Sequence, residues 1–303
     1  MMDPPKLLIV SGKGGVGKTT LSAALALSLA KQKKKVLLAE IQSQDQVAHL
    51  FGRSPFGPEE TPLLPNLQAI NISPKKAFEE YVLSQIKYRS LYTAVFENRF
   101  VRYFLDATPG LSELMSLGKI YSLVSRYDCV VVDAPATGHG VSLLQVPGIV
   151  ASAVRVGPLK ENAEKIAGLL QDPEQTLLCL VTLPEEMPIK ETIEMASLSR
   201  EKLKIPLGPV FINGVVDPLF SGKEESLFES WSDPISKKSP LYPLVAAARV
   251  RQKKASLVQE ACEELKKELP RASFIRLPFL FSDSFGLKEI RELSRWVEKG
   301  DQP

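Results

Sequence analysis

The stretch Lys6-Leu-Leu-Ile-Val-Ser-Gly-Lys-Gly-Gly-Val-Gly-Lys-Thr-Thr20 constrains everything else in the chain. A short apolar run, Leu7 to Val10, breaks into a glycine-rich turn, and the turn opens a run of strong helix formers from Leu21 to Ala30. Gly12, Gly17, Lys18 and Thr19 complete the pattern G-x-x-x-x-G-K-[ST]. In that pattern backbone N–H groups cradle phosphates, the lysine reaches the terminal phosphates and the hydroxyl ligates a magnesium ion. The positive end of the helix dipole falls on the same spot. A turn serving only packing has no use for Lys18 and Thr19 at those positions. The spacing therefore predicts a nucleotide site built from Gly12, Lys13, Gly14, Gly15, Val16, Gly17, Lys18, Thr19 and Thr20.

A second strand with chemistry at its end is Asp128-Cys-Val-Val-Val-Asp133. A carboxylate at the carboxyl edge of a buried strand suits the Walker B role of holding a water of the magnesium shell, so Asp133 joins Thr19 as a metal candidate. Residues 134–140, Ala-Pro-Ala-Thr-Gly-His-Gly, read as a loop able to sense a γ-phosphate. Val36 to Ile41 is apolar without alternation apart from Glu40, as a sheet covered on both faces requires, so Gln42 to Gln46 should face the ligand crevice.

Elsewhere helical and strand patterns alternate. Residues 53–66 are proline-rich and read as a loop, and 67–72 as a strand. From 74 to 127 apolar and aromatic residues recur at helical spacing, which predicts a helical insertion projecting from the sheet. Then come a helix (160–170), a strand (176–182), a helix (189–203), a strand (207–216), a surface loop (217–240), a helix (244–269), a strand (273–277) and a closing helix (287–298). Repetition of the βα period predicts an α/β fold with a doubly wound, mainly parallel sheet. Asn213 lies near the carboxyl end of the strand at 207–216, and Pro278 follows the strand at 273–277.

Composition removes several classes. Lys and Arg number 38 against 35 Asp and Glu, so bulk charge offers nucleic acid no basic face. Three cysteines, Cys129, Cys179 and Cys262, are too few and too scattered for a disulfide framework or a C-x-x-C metal clip. A reducing cytoplasm fits them. The start, Met-Met-Asp-Pro-Pro, shows neither the basic region nor the apolar core of a secretory signal. No run approaches the roughly 18 apolar residues of a membrane span, so no stable membrane insertion is expected.

Three separated motifs together resemble the ArsA-type ATPase family, which includes arsenite-pump ATPases, targeting factors for tail-anchored membrane proteins, and bacterial relatives. They are residues 11–20, residues 132–139 followed by Leu143 and Leu144, and residues 181–188 (Val-Thr-Leu-Pro-Glu-Glu-Met-Pro). Residues 107–114 look like the bacterial relatives in particular. The resemblance implies a P-loop NTPase fold over residues 1–303 as one domain, with the helical insertion at about 74–127. It implies ATP and Mg²⁺ as ligands, Lys18 and Thr19 as phosphate and metal ligands, and Thr137 to His139 as a second switch. Asn213 and the backbone near Pro278 would line the adenine pocket. Lys13 marks the deviant phosphate loop of dimeric ATPases and would reach the partner's nucleotide. The partner would be a second copy or a related ATPase, with an unidentified protein client and no nucleic acid.

The chain departs from the family pattern in three ways. Where the family carries a water-orienting aspartate after the second strand, counting from Val36 gives Gln42, with Asp45 nearby as the catalytic candidate beside Lys13 and Lys18 and with Glu40 on the strand edge. The paired cysteines that hold zinc across the dimer of the targeting factors are absent, as is a recognisable arsenite triad. Only five methionines are present, few for a surface that must adapt to varied apolar helices. The expectation is a cytoplasmic ATPase whose nucleotide state sets dimer geometry. The rivals are a catalytically weak subunit of a hetero-oligomeric pair and a positioning ATPase of the ParA/MinD kind.

Overall fold

The protein is described from a computed structural model covering residues 4–43, 45–85 and 108–300. Eight strands form one sheet: β1 (Leu7–Gly12), β2 (Val36–Ile41), β3 (Thr61–Leu64), β4 (Leu67–Ile72), β5 (Cys129–Asp133), β6 (Thr176–Thr182), β7 (Leu207–Val215) and β8 (Phe274–Pro278). Their spatial order is β3-β4-β2-β5-β1-β6-β7-β8, and every pairing is parallel except β3 with β4. The chain winds outward from β1 in both directions. Such a reversal of strand order opens a crevice at the carboxyl ends of the strands, where ligands bind.

Burial on both faces explains the unbroken apolar runs. Along β1, Leu7 and Ile9 join one core while Leu8 and Val10 join the other. The Leu8 face is covered by α1 (Lys18–Lys31), α2 (Gln46–Leu50) and, last in the chain, a helix at Leu287–Lys299. The Leu7 face is covered by α3 (Pro74–Gln85), α4 (Leu111–Val124), α5 (Thr137–Ala153), α6 (Pro158–Gln171) and α7 (Glu186–Leu198). α8 (Lys223–Ser232) follows β7, and α9 (Tyr242–Glu268) lends Ala261 and Leu265 to the Leu7 face. The helix at Leu287–Lys299 is α10.

α1 is apolar on nearly every side because it is enclosed by the sheet and α10; Leu21, Ala23, Ala24, Ala26 and Leu27 are all buried. The Lys31 ammonium donates to Ser294 Oγ at 2.6 Å, tying the far end of α1 to α10. Ile290 and Leu293 supply the apolar stripe of α10 on that contact.

The structure corrects several sequence expectations. The proline-rich segment 53–66 is not all loop, since Thr61–Leu64 pairs with β4 as an edge strand. An edge position tolerates Pro62, which lacks an N–H to donate. The segment 217–240 contains α8. α8 escapes a periodicity search because only Ser232 in it is buried. The helix expected at 189–203 starts earlier, at Glu186, and ends in a π-turn over Ser199–Leu203. Residues 134–140 are not all loop either, because α5 begins at Thr137. Within the expected insertion, α4 lies on the sheet rather than projecting from it, with Leu114, Leu117, Ile120 and Leu123 in the core. Tyr92, Val95 and Phe96, which carry much of the aromatic pattern there, lie outside the described residues.

Candidate nucleotide site

At the carboxyl end of β1 the backbone turns through Gly12 (φ +155°), Gly15 (φ +84°) and Gly17 (φ +95°) before α1 begins at Lys18. Two of these glycines are required by close approach as well as by angle. A Cβ on Gly12 would stand 2.3 Å from the Val181 carbonyl oxygen of β6, and one on Gly17 would stand 2.3 Å from Asn213 Nδ2 at the end of β7. The outer rim, Gly14 and Gly15, is exposed. Its backbone is free to meet an anion.

The Lys18 ammonium folds back over the loop and donates to the Lys13 carbonyl oxygen at 3.0 Å. Burial lowers its pKa, and Asp133 partly restores it. The next residue connects the loop to β5, for Thr19 donates its hydroxyl to Asp133 Oδ2 at 2.6 Å. Ser22, one turn on, donates to Asp133 Oδ1 at 3.2 Å and lies 2.9 Å from the Lys18 carbonyl. Burial pushes the Asp133 carboxyl above the usual carboxylate range, against the pull of Thr19, Ser22 and Lys18. Thr19 Oγ1, the Asp133 carboxylate and the side-chain oxygen of Gln46, 3.2 Å from Thr19, form an all-oxygen donor set. Such a set fits Mg²⁺, a hard cation that takes oxygen ligands and keeps much of its water.

Beside this group lies Glu40, which is 0% exposed. It sits opposite Asp133 in the β2–β5 register. Its Oε1 accepts from Ser43 Oγ (2.7 Å) and from the Val47 amide (3.3 Å). Burial raises its pKa first of all, and the nearby Asp133 and Asp45 add to the shift. Glu40 Oε2 and Ser11 Oγ are buried without a hydrogen-bond partner among the described residues.

The β2–α2 loop carries the residues expected to act on water. Gln42 is exposed and left-handed (φ +48°), with its backbone N–H donating to the Ile72 carbonyl at 3.1 Å. Asp45 is also left-handed (φ +55°), and its Oδ1 accepts from Asn71 Nδ2 at 3.0 Å. Asn71 grips the loop further: its amide donates to the Ser43 carbonyl at 2.8 Å and its oxygen accepts from the Ser43 amide at 3.2 Å.

Lys13 is ion-paired with Glu191 of α7, whose other oxygen accepts from Thr137 Oγ1 at 3.0 Å. The hydrogen bond from Lys13, with smaller help from Thr137, holds the Glu191 carboxyl below its usual range. His139 is exposed in the first turn of α5. Asn213 Nδ2 donates to the Val16 carbonyl at 2.8 Å and so braces the phosphate loop from behind. Pro278 pairs with Val215 at the mouth of the same strand end, and Thr20 follows Thr19 into α1. The sequence alone points to the loop, Asp133 and Asn213, and to Gln46 within the segment expected at the crevice, but not to Ser22, Asn71 or Glu191. Ser22 is within reach of the i, i+4 spacing from Lys18; Asn71 and Glu191 come from distant segments.

A doubly wound parallel sheet with a glycine loop, lysine and threonine at the central strand, and an aspartate at the neighbouring strand, is the P-loop nucleotide-binding architecture. The sequence profile of one such family, described as anion-transporting ATPase, matches residues 5–161, slightly over half of the chain. The chain belongs to the anion-transporting (ArsA-type) ATPase family. It is 34% identical over 221 residues to the ATPase BagA of Mycobacterium tuberculosis, covering 69% of this chain and 64% of that one. Its identity to the arsenical pump-driving ATPase of Escherichia coli is 28% over 246 residues, 71% of this chain and 40% of that protein. To the ATPase GET3 of Malassezia globosa it is 31% over 175 residues, 54% and 51% of the two chains. The chain therefore spans just under two thirds of the mycobacterial relative's length. Among the described residues no helix is long and apolar enough to cross a membrane.

Proposed function

We propose that the chain is an ATPase that binds ATP at the loop 12–20 and transfers the γ-phosphoryl group to water. One observation carries the reading: Lys18 and Thr19 open α1 at the loop's mouth, and Thr19 is hydrogen-bonded to Asp133 at 2.6 Å. Phosphoryl transfer needs positioning and charge neutralisation more than covalent chemistry. The backbone amides from Lys13 to Thr20 receive the phosphates, Lys18 offsets the charge that spreads over the equatorial oxygens, and Asn213 holds the loop in shape. Thr19 and Asp133 would hold Mg²⁺, which when bound neutralises the β- and γ-oxygens. Gln42 or Asp45 orients the attacking water, and Asn213 and Pro278 border the adenine. Residues 1–303 act as one ATPase domain, in which α3 and α4 of the segment 74–127 cover the sheet.

The working unit is a dimer, of two copies or of this chain with a related ATPase, and Lys13 supplies charge to the partner's nucleotide. Nucleotide state then sets the dimer's geometry and its hold on a protein client, in the cytoplasm and without nucleic acid. A second reading, a subunit that binds nucleotide but hydrolyses it weakly, is favoured by Gln42 standing exposed while the Asp45 carboxylate is engaged by Asn71. A phosphate-release assay on the purified protein, alone and with a related ATPase, separates the two. Turnover alone supports the first, turnover only in the mixture supports the second, and none in either, with ATP bound, leaves a nucleotide-binding protein.

A further inference from the structure

The least expected residue in the sheet is Glu40. The rest of β2 is Val36, Leu37, Leu38, Ala39 and Ile41, and only at position 40 does a charged side chain enter the interior, with none of its surface exposed. An ionised carboxylate without full hydrogen bonding is costly in such a place. One of its oxygens is satisfied by Ser43 and Val47, and the other is not satisfied by any described residue. Glu40 shares a sheet face with Leu38, and its register partner Asp133 shares one with Val131; both are the face covered by α1. Neighbouring strands lie about 4.8 Å apart, so the two acids stand side by side next to Thr19 and Ser22. Two adjacent buried acids repel each other unless a cation or its bound water stands between them.

We infer that Glu40 is the second carboxylate of the divalent-cation site: its free oxygen accepts a hydrogen bond from a cation-bound water, and its other oxygen passes the cation's presence to the β2–α2 loop. The inference rests on Thr19 and Asp133 as the cation's own ligands. Ser43 and Val47 bracket the loop bearing Asp45 and Gln46, and both are held by the one carboxylate oxygen of Glu40. Cation binding that orders the carboxylate therefore orders this loop, the segment that faces the attacking water. Glu40 touches neither phosphate nor water nucleophile; it is a positioning residue.

The test uses Glu40→Gln, whose amide oxygen can keep the bonds from Ser43 and Val47 while its NH₂ replaces the free acceptor with a donor. ADP affinity is measured by calorimetry with Mg²⁺ and with EDTA, in parent and variant. Partners that orient metal ligands typically change metal affinity about 10- to 100-fold when removed. The Mg²⁺-dependent gain in ADP affinity should shrink by about tenfold in the variant while the EDTA values stay together. A gain equal to the parent's, or a loss of the same size in both conditions, overturns the inference and leaves Glu40 a structural tie. If the parent itself shows no Mg²⁺-dependent gain, the Thr19 and Asp133 reading falls and this one with it. Amide exchange on the parent does not depend on the variant folding. The amides of Ser43, Asp45, Gln46 and Val47 should become more protected with Mg²⁺ and ADP than with ADP alone, and equal protection in the two overturns the coupling.

Discussion

Lys13, in the phosphate loop, is ion-paired with Glu191, 178 positions away in α7, and Glu191 also holds Thr137 at the start of α5. The lysine proposed to act on a partner's nucleotide is thus held within its own chain by a residue that also binds the segment after Asp133. Partly exposed ion pairs contribute about 0–1 kcal/mol, so this one is easily exchanged for a phosphate. Glu191→Ala should free the lysine and raise ATP-dependent association by up to about fivefold, and Lys13→Ala should reduce association and turnover while single-site ATP binding persists. Light scattering with and without ATP checks both; unchanged association in Lys13→Ala removes the trans role.

Lys18→Ala should abolish measurable ATP binding while the melting temperature stays near the parent's, because among the described residues the ammonium is engaged by just the Lys13 carbonyl and the Asp133 charge. Calorimetry showing equal ATP affinity in mutant and parent would remove the phosphate-loop assignment.

Gln42 and Asp45 can be separated by charge. An amide can orient water but cannot take its proton, and general-base help is worth about 10²- to 10⁴-fold. The parent should turn over ATP slowly, and Gln42→Asp should raise the rate by about 10²-fold without tightening binding, since aspartate accepts the left-handed backbone there. Asp45→Asn keeps an acceptor for Asn71, so it removes only charge. If Asp45→Asn eliminates turnover while Gln42→Asp leaves it unchanged, Asp45 is the catalytic carboxylate.

Gly17→Ala places a methyl 2.3 Å from Asn213 Nδ2 at φ +95°. The backbone strain and the displaced Asn213 bond to Val16 should together lower stability by about 1–3 kcal/mol. Asn213→Ala in the same chain should restore part of it by removing the clash, and a urea-unfolding double-mutant cycle reads that coupling. Simple additivity of the two changes would mean that the contact is not what constrains Gly17.

The thiols of Cys129 and Cys179 are pushed up to about 12 by burial. Thiolate is the reactive form, and its fraction falls about tenfold per pH unit below the pKa. Native protein at mildly alkaline pH should therefore react with a thiol reagent only at Cys262, the one partly exposed cysteine, and guanidinium should release all three. Rapid labelling of a second thiol in native protein would contradict the packing around β5 and β6.

Residues whose task is local are legible in the sequence itself. Gly12 to Thr20 carry their own turn, helix start and phosphate-loop pattern, and Asp133 ends a strand too apolar to be anything but central. Asn213 is recognisable by position, though its hydrogen bond to Val16 shows a bracing task the sequence does not suggest. Glu191 is illegible because its importance lies in a contact between segments that the fold alone brings together. β3 is hidden by prolines that an edge tolerates, and α8 by a surface it barely buries. The register after β2 can be counted, yet counting cannot show that Gln42 points to solvent while Asn71 holds Asp45.

β1 lies between β5 and β6, and the far end of α1 is tied to α10 through Lys31 and Ser294. A ribosome makes the phosphate loop ahead of these neighbours, so the nascent polypeptide carries Leu7 to Ala30 without flanking strands until β5 and β6 have emerged, and without α10 for longer still. Contacts this distant in sequence form late and leave apolar surface open meanwhile. The segment translated before its neighbours is seated only after them. The phosphate loop accordingly has no finished surroundings on a half-made chain, and the interval before α10 arrives is when Leu21 to Leu27 most need shelter from aggregation.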